Sequence, residues 1–248
     1  MKAFIFAAGI GSRLKPWTDF HPKALATVNG ITLLERVIRK FEKNTEIDEI
    51  IVNLHHFPDQ IKDFIFEQLK LEKPVLFMDE TERLLDTGGA LLKYMDYHGA
   101  GQEIIAHNVD ILTDLNLDEL INFHHNSKND ITLLVKQRPS ERQLLFDSNM
   151  KLQGWKNLKS GEERGLEHEH INVLIESAFS GIQILNGKAL NLLKTYRQII
   201  NNDIFSVIPY YLWAKNHLNI GGYLPRADYK LIDAGRPENL IIASKMFK

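Results

Sequence analysis

The run Ala3-Phe4-Ile5-Phe6-Ala7-Ala8, closed by Gly9 and Gly11, leaves this chain few folds to choose from. Successive apolar residues present no alternating polar face to water. Such a run fits a strand buried on both sides, at the centre of a parallel sheet. Met1 and Lys2 give the segment some likeness to a secretion signal, but the run is too short and breaks at glycine. No stretch reaches the roughly 18 apolar residues of a membrane span, so a cytoplasmic protein is expected. The chain has no cysteine, which excludes disulfide scaffolds and thiolate metal sites. Thirty basic residues against 32 acidic ones give a formal charge of −2. That balance supplies no general pull toward nucleic acid or an acidic membrane.

After this strand, residues 9 to 30 read as a long loop. A helix is expected over Thr32–Lys43, with Leu33, Leu34, Val37, Ile38 and Phe41 on one stripe. Strands follow at Glu49–Leu54, Pro74–Met78, Glu103–His107 and Ile131–Lys136. Between them Pro58 opens a helix, Gly88 and Gly89 precede a short one, and Leu117–His125 forms another. Strands alternating with helices imply an α/β, Rossmann-like, mostly parallel sheet with helices on both faces. Past residue 136 the pattern loosens. Hairpin-like pieces fill 140–176, then come a strand at Ala178–Leu185, helices at Gly187–Ile200 and Ile204–Asn216, two short strands flanking Asp228, and a helix at Pro237–Met246. The expectation is one domain over 1–248, with a small insert on the substrate side and halves of about 1–136 and 137–248.

The chemistry concentrates just after the first strand, in Ala7-Ala8-Gly9-Ile10-Gly11-Ser12-Arg13-Leu14-Lys15-Pro16. Glycines there let backbone approach a ligand and turn N–H groups to phosphate. Leu14 stands where a dinucleotide fingerprint needs its third glycine, and no Gly-Lys-Ser/Thr exists for a Walker loop. Arg13 offers a planar fork for phosphate oxygens, and Lys23 adds a second cation behind Pro22. Two cations closing one glycine-rich loop suit a polyphosphate. The structural alternative is a plain strand-to-helix turn with solvated side chains.

These residues resemble the signature of the sugar-1-phosphate nucleotidyltransferases. Later blocks extend the likeness along nearly the whole chain: Leu85-Asp86-Thr87-Gly88-Gly89-Ala90, Asn108-Val109-Asp110, Phe179-Ser180-Gly181-Ile182, and Ile232 through Leu240. The resemblance implies a nucleotidyltransferase fold of the GT-A-like kind. It also implies Mg²⁺-dependent transfer of a nucleotidyl group from a nucleoside triphosphate to a sugar 1-phosphate. The nucleotide half would be about 1–136 and the sugar half 137–248. Arg13 and Lys23 would carry catalysis by holding the triphosphate and stabilising the leaving pyrophosphate. Ala7, Ala8, Gly9, Gly11, Ser12, Gly88, Gly89 and Asn108 would line the nucleotide. Asp110 and Asp233 would converge from separate strand ends as the hard-oxygen metal site. Their alternative reading is as caps of local turns. Ser180, Gly181 and Lys156 would lie beside the sugar.

Some positions depart from the family pattern. Val109 replaces a usual glycine. Lys156 sits in Gly154-Trp155-Lys156-Asn157 without the proline of the relatives' Glu-Lys-Pro segment, and a loop lysine is its other reading. Glu167-His168-Glu169-His170 lacks the His-Glu-x-x-His spacing of a helical metal site and reads as a solvated loop. His55-His56 and His124-His125 read as surface residues, and Tyr210, Tyr211 and Trp213 as a core-facing stripe. Neither the β-helix nor the regulatory domain of longer relatives is expected. Its Asp-Thr-Gly-Gly segment is most similar to N-acetylmuramate 1-phosphate uridylyltransferases, with mannose-1-phosphate guanylyltransferases as runner-up. A ligand-binding regulator without catalysis is the rival from another class. Expected partners are the two substrates, with a homodimer left open.

Overall fold

The apolar run forms a strand, Lys2–Phe6, whose Ala3, Phe4 and Ile5 are fully buried in the computed structural model. That structure describes residues 1–166, 174–225 and 229–247. The Glu167–His170 segment therefore lies outside the described residues. The chain condenses into two units whose segments alternate along the sequence: Met1–Leu84, Ile104–Asn116 and Asp228–Lys248 in the first, Leu85–Glu103 and Leu117–Ala227 in the second. Among the described residues there are seven α-helices, and none is long and apolar enough to cross a membrane.

In the first unit Lys2–Phe6 pairs in parallel with Ile104–Asn108 on one side and Glu49–Leu54 on the other, and Val75–Asp79 extends the sheet. The expected parallel arrangement is thus present here. Helix Leu33–Glu42 buries the five apolar residues that its periodicity marks out. Thr32 caps it, its Oγ1 accepting the N–H of Glu35 at 3.0 Å. The loop over residues 9 to 30 is more ordered than its sequence suggests. It holds 3₁₀ turns at Ser12–Leu14, Trp17–Asp19 and Lys23–Leu25, then the first strand of a hairpin that turns at Asn29-Gly30. A second small ladder pairs Leu231–Asp233 antiparallel with Ile111–Thr113.

The second unit is built around the long strand Ile175–Leu185. It pairs antiparallel with Ile131–Lys136 and Arg142–Phe146, and the latter pairs with Leu152–Asn157. Gly181 sits at φ 72 where the register shifts between Phe179 and Gln183, so it bends the strand at a bulge. Tyr210 and Tyr211 are fully buried, as their stripe implied, and the Tyr210 hydroxyl donates to the Ala189 carbonyl at 2.5 Å. His124 is not a surface residue. It is buried, with Nδ1 2.8 Å from Thr132 Oγ1 and Nε2 3.6 Å from Glu103.

Gly88 and Gly89 lie inside helix Asp86–His98 rather than ahead of it. Both amides donate to the Phe205 carbonyl, at 2.8 and 3.1 Å. A Cβ on Gly88 would stand 2.3 Å from the Phe205 ring, and one on Gly89 would stand 2.1 Å from the Asp203 carbonyl oxygen. Packing of the 203–205 segment is by itself a reason for glycine at both positions. Gly89→Ala is therefore expected to destabilise by about 1–3 kcal/mol, because the obstruction is backbone and cannot rotate away. A melting curve unchanged from wild type would contradict this packing.

Glu103 receives His125 Nε2 at 2.9 Å. Its contact with His124 is the largest influence on it. With the His125 contact it outweighs desolvation and lowers the carboxyl pKa from 4.5 to about 2. A depressed carboxyl pKa stabilises the fold above the unfolded value, and the gain is lost as pH falls toward the folded one. Acid titration of stability should lose this contribution between those two values. In Glu103→Gln the difference from wild type should vanish by about pH 2; parallel acid limbs for the two proteins would refute the assignment.

Candidate active site

Four charged side chains of the first unit meet, and the ladder explains how. Asp233 pairs with Ile111 across it, and the Ala234 N–H donates to the Asp110 carbonyl at 2.7 Å. Residues far apart in sequence thus become neighbours at the ends of strands. Lys23 Nζ donates to Asp110 Oδ2 at 2.6 Å. Arg13 reaches the same oxygen with Nη2 at 3.9 Å and Asp233 Oδ2 with Nη1 at 3.6 Å. The Lys23 and Asp110 side chains are 13% and 9% exposed, those of Arg13 and Asp233 48% and 37%. One pair is therefore nearly sealed and the other faces solvent.

Local chemistry places the cations. Pro22 opens the turn that carries Lys23, with Leu25 N–H on the Pro22 carbonyl at 2.9 Å. The Lys23 chain then runs against Gly11, where a Cβ would stand 2.8 Å from Lys23 Cβ. Gly11 also adopts φ 70, which favours glycine on its own account. Gly9 lies beside the Lys23 ammonium. Ser12 and Arg13 are exposed in the turn that follows, and Asn108 is half-buried at the end of its strand. The loop read from sequence thus brings Gly9, Gly11, Ser12, Arg13 and Lys23 together.

Gly235 belongs to one of the sequence blocks, yet nothing in the sequence gives it a role. A Cβ there would lie 2.7 Å from Arg13 Nη2 and 2.8 Å from both Asp110 Oδ2 and Asp233 Oδ1. The two carboxylate oxygens thus flank a single point at no more than that distance each. Hard carboxylate donors so close suit Mg²⁺, which takes one or two protein carboxylates and fills its octahedron with phosphate and water. Among the described residues no group of three or more His, Asp or Glu side chains could hold an ion alone. Val109 does not disturb the arrangement: it is fully buried, and its N–H donates to the Phe6 carbonyl at 3.2 Å.

Other expected contacts are answered differently. The N–H groups of Ala7 and Ala8 both donate to Asn53 Oδ1, at 2.7 and 3.1 Å, so neither is turned to a phosphate. Asn53 is a residue the sequence reading missed. Its signal was a lone amide in the otherwise apolar stretch Ile50-Ile51-Val52-Asn53-Leu54. In the second unit Lys156 stands on a strand rather than in a loop, 3.1 Å from Glu163. Ser180 is fully buried, and its Oγ has no hydrogen-bond partner among the described residues. An orphaned buried hydroxyl is costly unless something binds it.

The chain resembles known proteins in sequence and in fold. The chain matches the nucleotidyl transferase family over residues 2–146, the stretch that carries Arg13, Lys23 and Asp110. An N-acetylmuramate alpha-1-phosphate uridylyltransferase of Caulobacter vibrioides is 30% identical over 110 residues, 44% of this chain and 45% of that protein. Mannose-1-phosphate guanylyltransferase 1 of Arabidopsis thaliana is 28% identical over 139 residues, 54% of this chain and 38% of the other. The matched stretch spans less than half the length of these curated relatives. Among solved structures, HddC from Yersinia pseudotuberculosis complexed with GMP-PN has a TM-score of 0.75 and 23% identity, covering 100% of this chain and 99% of that one. That likeness shows the α/β nucleotidyltransferase fold. With more than half its length matched, and the loop, both cations and the strand-end acid within the match, the chain belongs to the nucleotidyl transferase family.

Proposed function

We propose that this protein transfers a nucleotidyl group from a nucleoside triphosphate to a sugar 1-phosphate, releasing pyrophosphate. The observation that carries the reading is the meeting of Arg13, Lys23, Asp110 and Asp233 around Gly235. Two cations and two acids in one half-open place are suited to a polyanion that arrives with a divalent cation. In the reaction a phosphate oxygen of the sugar 1-phosphate bonds to the α-phosphorus. The bond from that phosphorus to the bridging oxygen breaks, and its electron pair leaves with pyrophosphate.

Little covalent work falls to the protein, so its residues bind, orient and neutralise. Arg13 turns its fork to the phosphate oxygens, and Lys23 meets the charge that grows on the leaving group. Asp110 and Asp233 would hold Mg²⁺, which would supply Lewis-acid charge to the reacting phosphate. Ser12 and Asn108 offer polar groups to the nucleotide. The bulge at Gly181 offers the sugar an irregular strand, and the fully buried Ser180 hydroxyl would have to be uncovered to reach it. For Lys156 to meet the sugar phosphate it must leave Glu163. UTP with N-acetylmuramate 1-phosphate is the preferred pair, on the Asp86-Thr87-Gly88-Gly89 segment and the Caulobacter relative. The Arabidopsis relative keeps GTP with mannose 1-phosphate as the second reading. The reaction is expected in the cytoplasm.

The test is pyrophosphate release with Mg²⁺ from each of the four ribonucleoside triphosphates, crossed with 1-phosphates of N-acetylmuramate, N-acetylglucosamine, glucose and mannose. One productive pair is expected. Binding of a nucleotide without release from any pair would favour the regulator instead. With the productive pair, Asp110→Ala and Asp233→Ala should each lose ~10²-fold or more in turnover, and normal turnover in both would remove the metal assignment.

Gly235→Ala separates geometry from charge. The added methyl meets only side-chain ends, so circular dichroism and melting should change little. Displacing Arg13 and both carboxylates should still cost on the order of 10²-fold in turnover. Full activity in that variant would mean that the spacing of the two acids is immaterial.

A further inference from the structure

Ladder pairing of the first strand stops at Ile5 on the Glu49–Leu54 side and at Phe6 on the other. The next two amides, of Ala7 and Ala8, are taken instead by one side chain, Asn53 Oδ1. Asn53 Nδ2 in turn donates to Glu80 Oε1 at 2.8 Å. Glu80 is held by its own backbone: its N–H donates to the Leu54 carbonyl at 2.7 Å, and its carbonyl accepts the Arg83 N–H at 3.0 Å. His55 Nδ1 lies 2.7 Å from that carbonyl. Asn53 and Glu80 are 3% and 2% exposed. A glutamate so deeply buried is unusual and costly unless its bonds are used.

The consequence lies in the backbone. In a trans peptide N–H and C=O point in opposite directions. Drawing the Ala8 N–H to Asn53 therefore turns the Ala7 carbonyl away from it. Two consecutive peptide planes are set by one amide, immediately before Gly9. The amide has the required sense because a carboxylate accepts and does not donate. Glu80 takes Nδ2, which leaves Oδ1 for the backbone.

We propose that Asn53 and Glu80 are a positioning pair for nucleotide binding, fixing the path by which the chain leaves its first strand and enters the loop of Gly9, Gly11 and Arg13. This rests on the reading of that loop as the triphosphate site. The pair makes a specific demand: one partner donates and the other accepts. The substitution Asn53→Asp alone would set a second carboxylate against Glu80, and one of the two must take up a proton. Adding Glu80→Gln supplies an amide donor from the opposite side and restores the bond between positions 53 and 80 with donor and acceptor exchanged.

The experiment compares wild type, N53D, E80Q and N53D/E80Q by calorimetric titration with UTP, GTP, ATP and CTP in Mg²⁺, from about pH 6 to about pH 8.5. Circular dichroism and melting run alongside. At high pH N53D should bind the preferred nucleotide about tenfold or more weakly than wild type, and recover as pH falls. The double variant should stay within about threefold of wild type with no such pH dependence, and so should E80Q, whose Oε1 still accepts. A role confined to folding would lower the melting temperature of N53D without a pH-dependent affinity. Unchanged affinity in N53D overturns the assignment, as does a folded double variant as weak as N53D. If N53D does not fold, the double variant decides: folded with wild-type affinity supports the pair, and folded without it, or unfolded, overturns it. Wild type that binds none of the four nucleotides sinks the nucleotide reading and this pair with it. Wild type that binds, with variants that bind equally, sinks the pair alone.

Discussion

A three-residue ladder, Leu231–Asp233 against Ile111–Thr113, is the contact on which the charged site depends. It seats Asp233 opposite Ile111 and ties Ala234 to the Asp110 carbonyl. Beyond the ladder, Gly235 N–H returns to Asp233 Oδ1 at 2.8 Å, and Asn239 Nδ2 donates to the Asp233 carbonyl at 2.6 Å. The acid is thus fixed from both sides of its own residue. Two carboxylates forced this close repel each other unless positive charge is brought to them, and that requirement explains the places of Lys23 and Arg13.

The two ion pairs are unequal, which matters for function. Removing one member of a buried pair leaves an uncompensated charge, at a cost of about 3–5 kcal/mol. Lys23 and Asp110 come close to that position, at 13% and 9% side-chain exposure, with only the half-exposed Arg13 near the same oxygen at 3.9 Å. Whatever draws Lys23 away must therefore bring positive charge to Asp110. A polyphosphate accompanied by a divalent cation meets both needs at once, whereas either one alone meets only half. Arg13 and Asp233, half open to solvent, carry no such penalty and can exchange partners freely.

Much of the fold is legible in the sequence. Glu49–Leu54, Ile131–Lys136, Gly187–Ile200 and Pro237–Met246 begin and end where the sequence puts them. Contiguous apolar runs, Asn186 as a cap and Pro237 at a helix start are local signals, and local signals survive folding. The four charged side chains were legible for a different reason: a motif fixes residue types at stated spacings. What escaped depends on partners distant in sequence. Glycine pairs such as Gly88-Gly89 look alike whether they face a ligand or the Asp203 carbonyl. His124 looks like a surface residue until Glu103 and Thr132 close on it. Lys156 reads as a loop residue until Glu163 lies across the sheet from it. Asn53 was the faintest signal of all, one amide in an apolar strand.

That amide shows how the first unit divides its labour. Catalysis by positioning asks that dipoles and backbone be arranged before the substrate arrives, because reorganisation then costs nothing during the reaction. Buried hydrogen bonds do this well, since water cannot compete for them. Charged groups that must change partners do it badly if they are buried too deeply. The unit keeps the two tasks apart. Asn53 and Glu80, sealed from water, hold the backbone that leads into the loop. Arg13 and Asp233, half exposed at the far side of the same loop, hold charge that a ligand can reach. The sealed Lys23–Asp110 pair lies between them, coupled to backbone on one side through Gly11 and to exchangeable charge on the other through Arg13. A loop so arranged has its course held by buried hydrogen bonds and its outer charges open to a ligand, which is the combination that the proposed transfer would require.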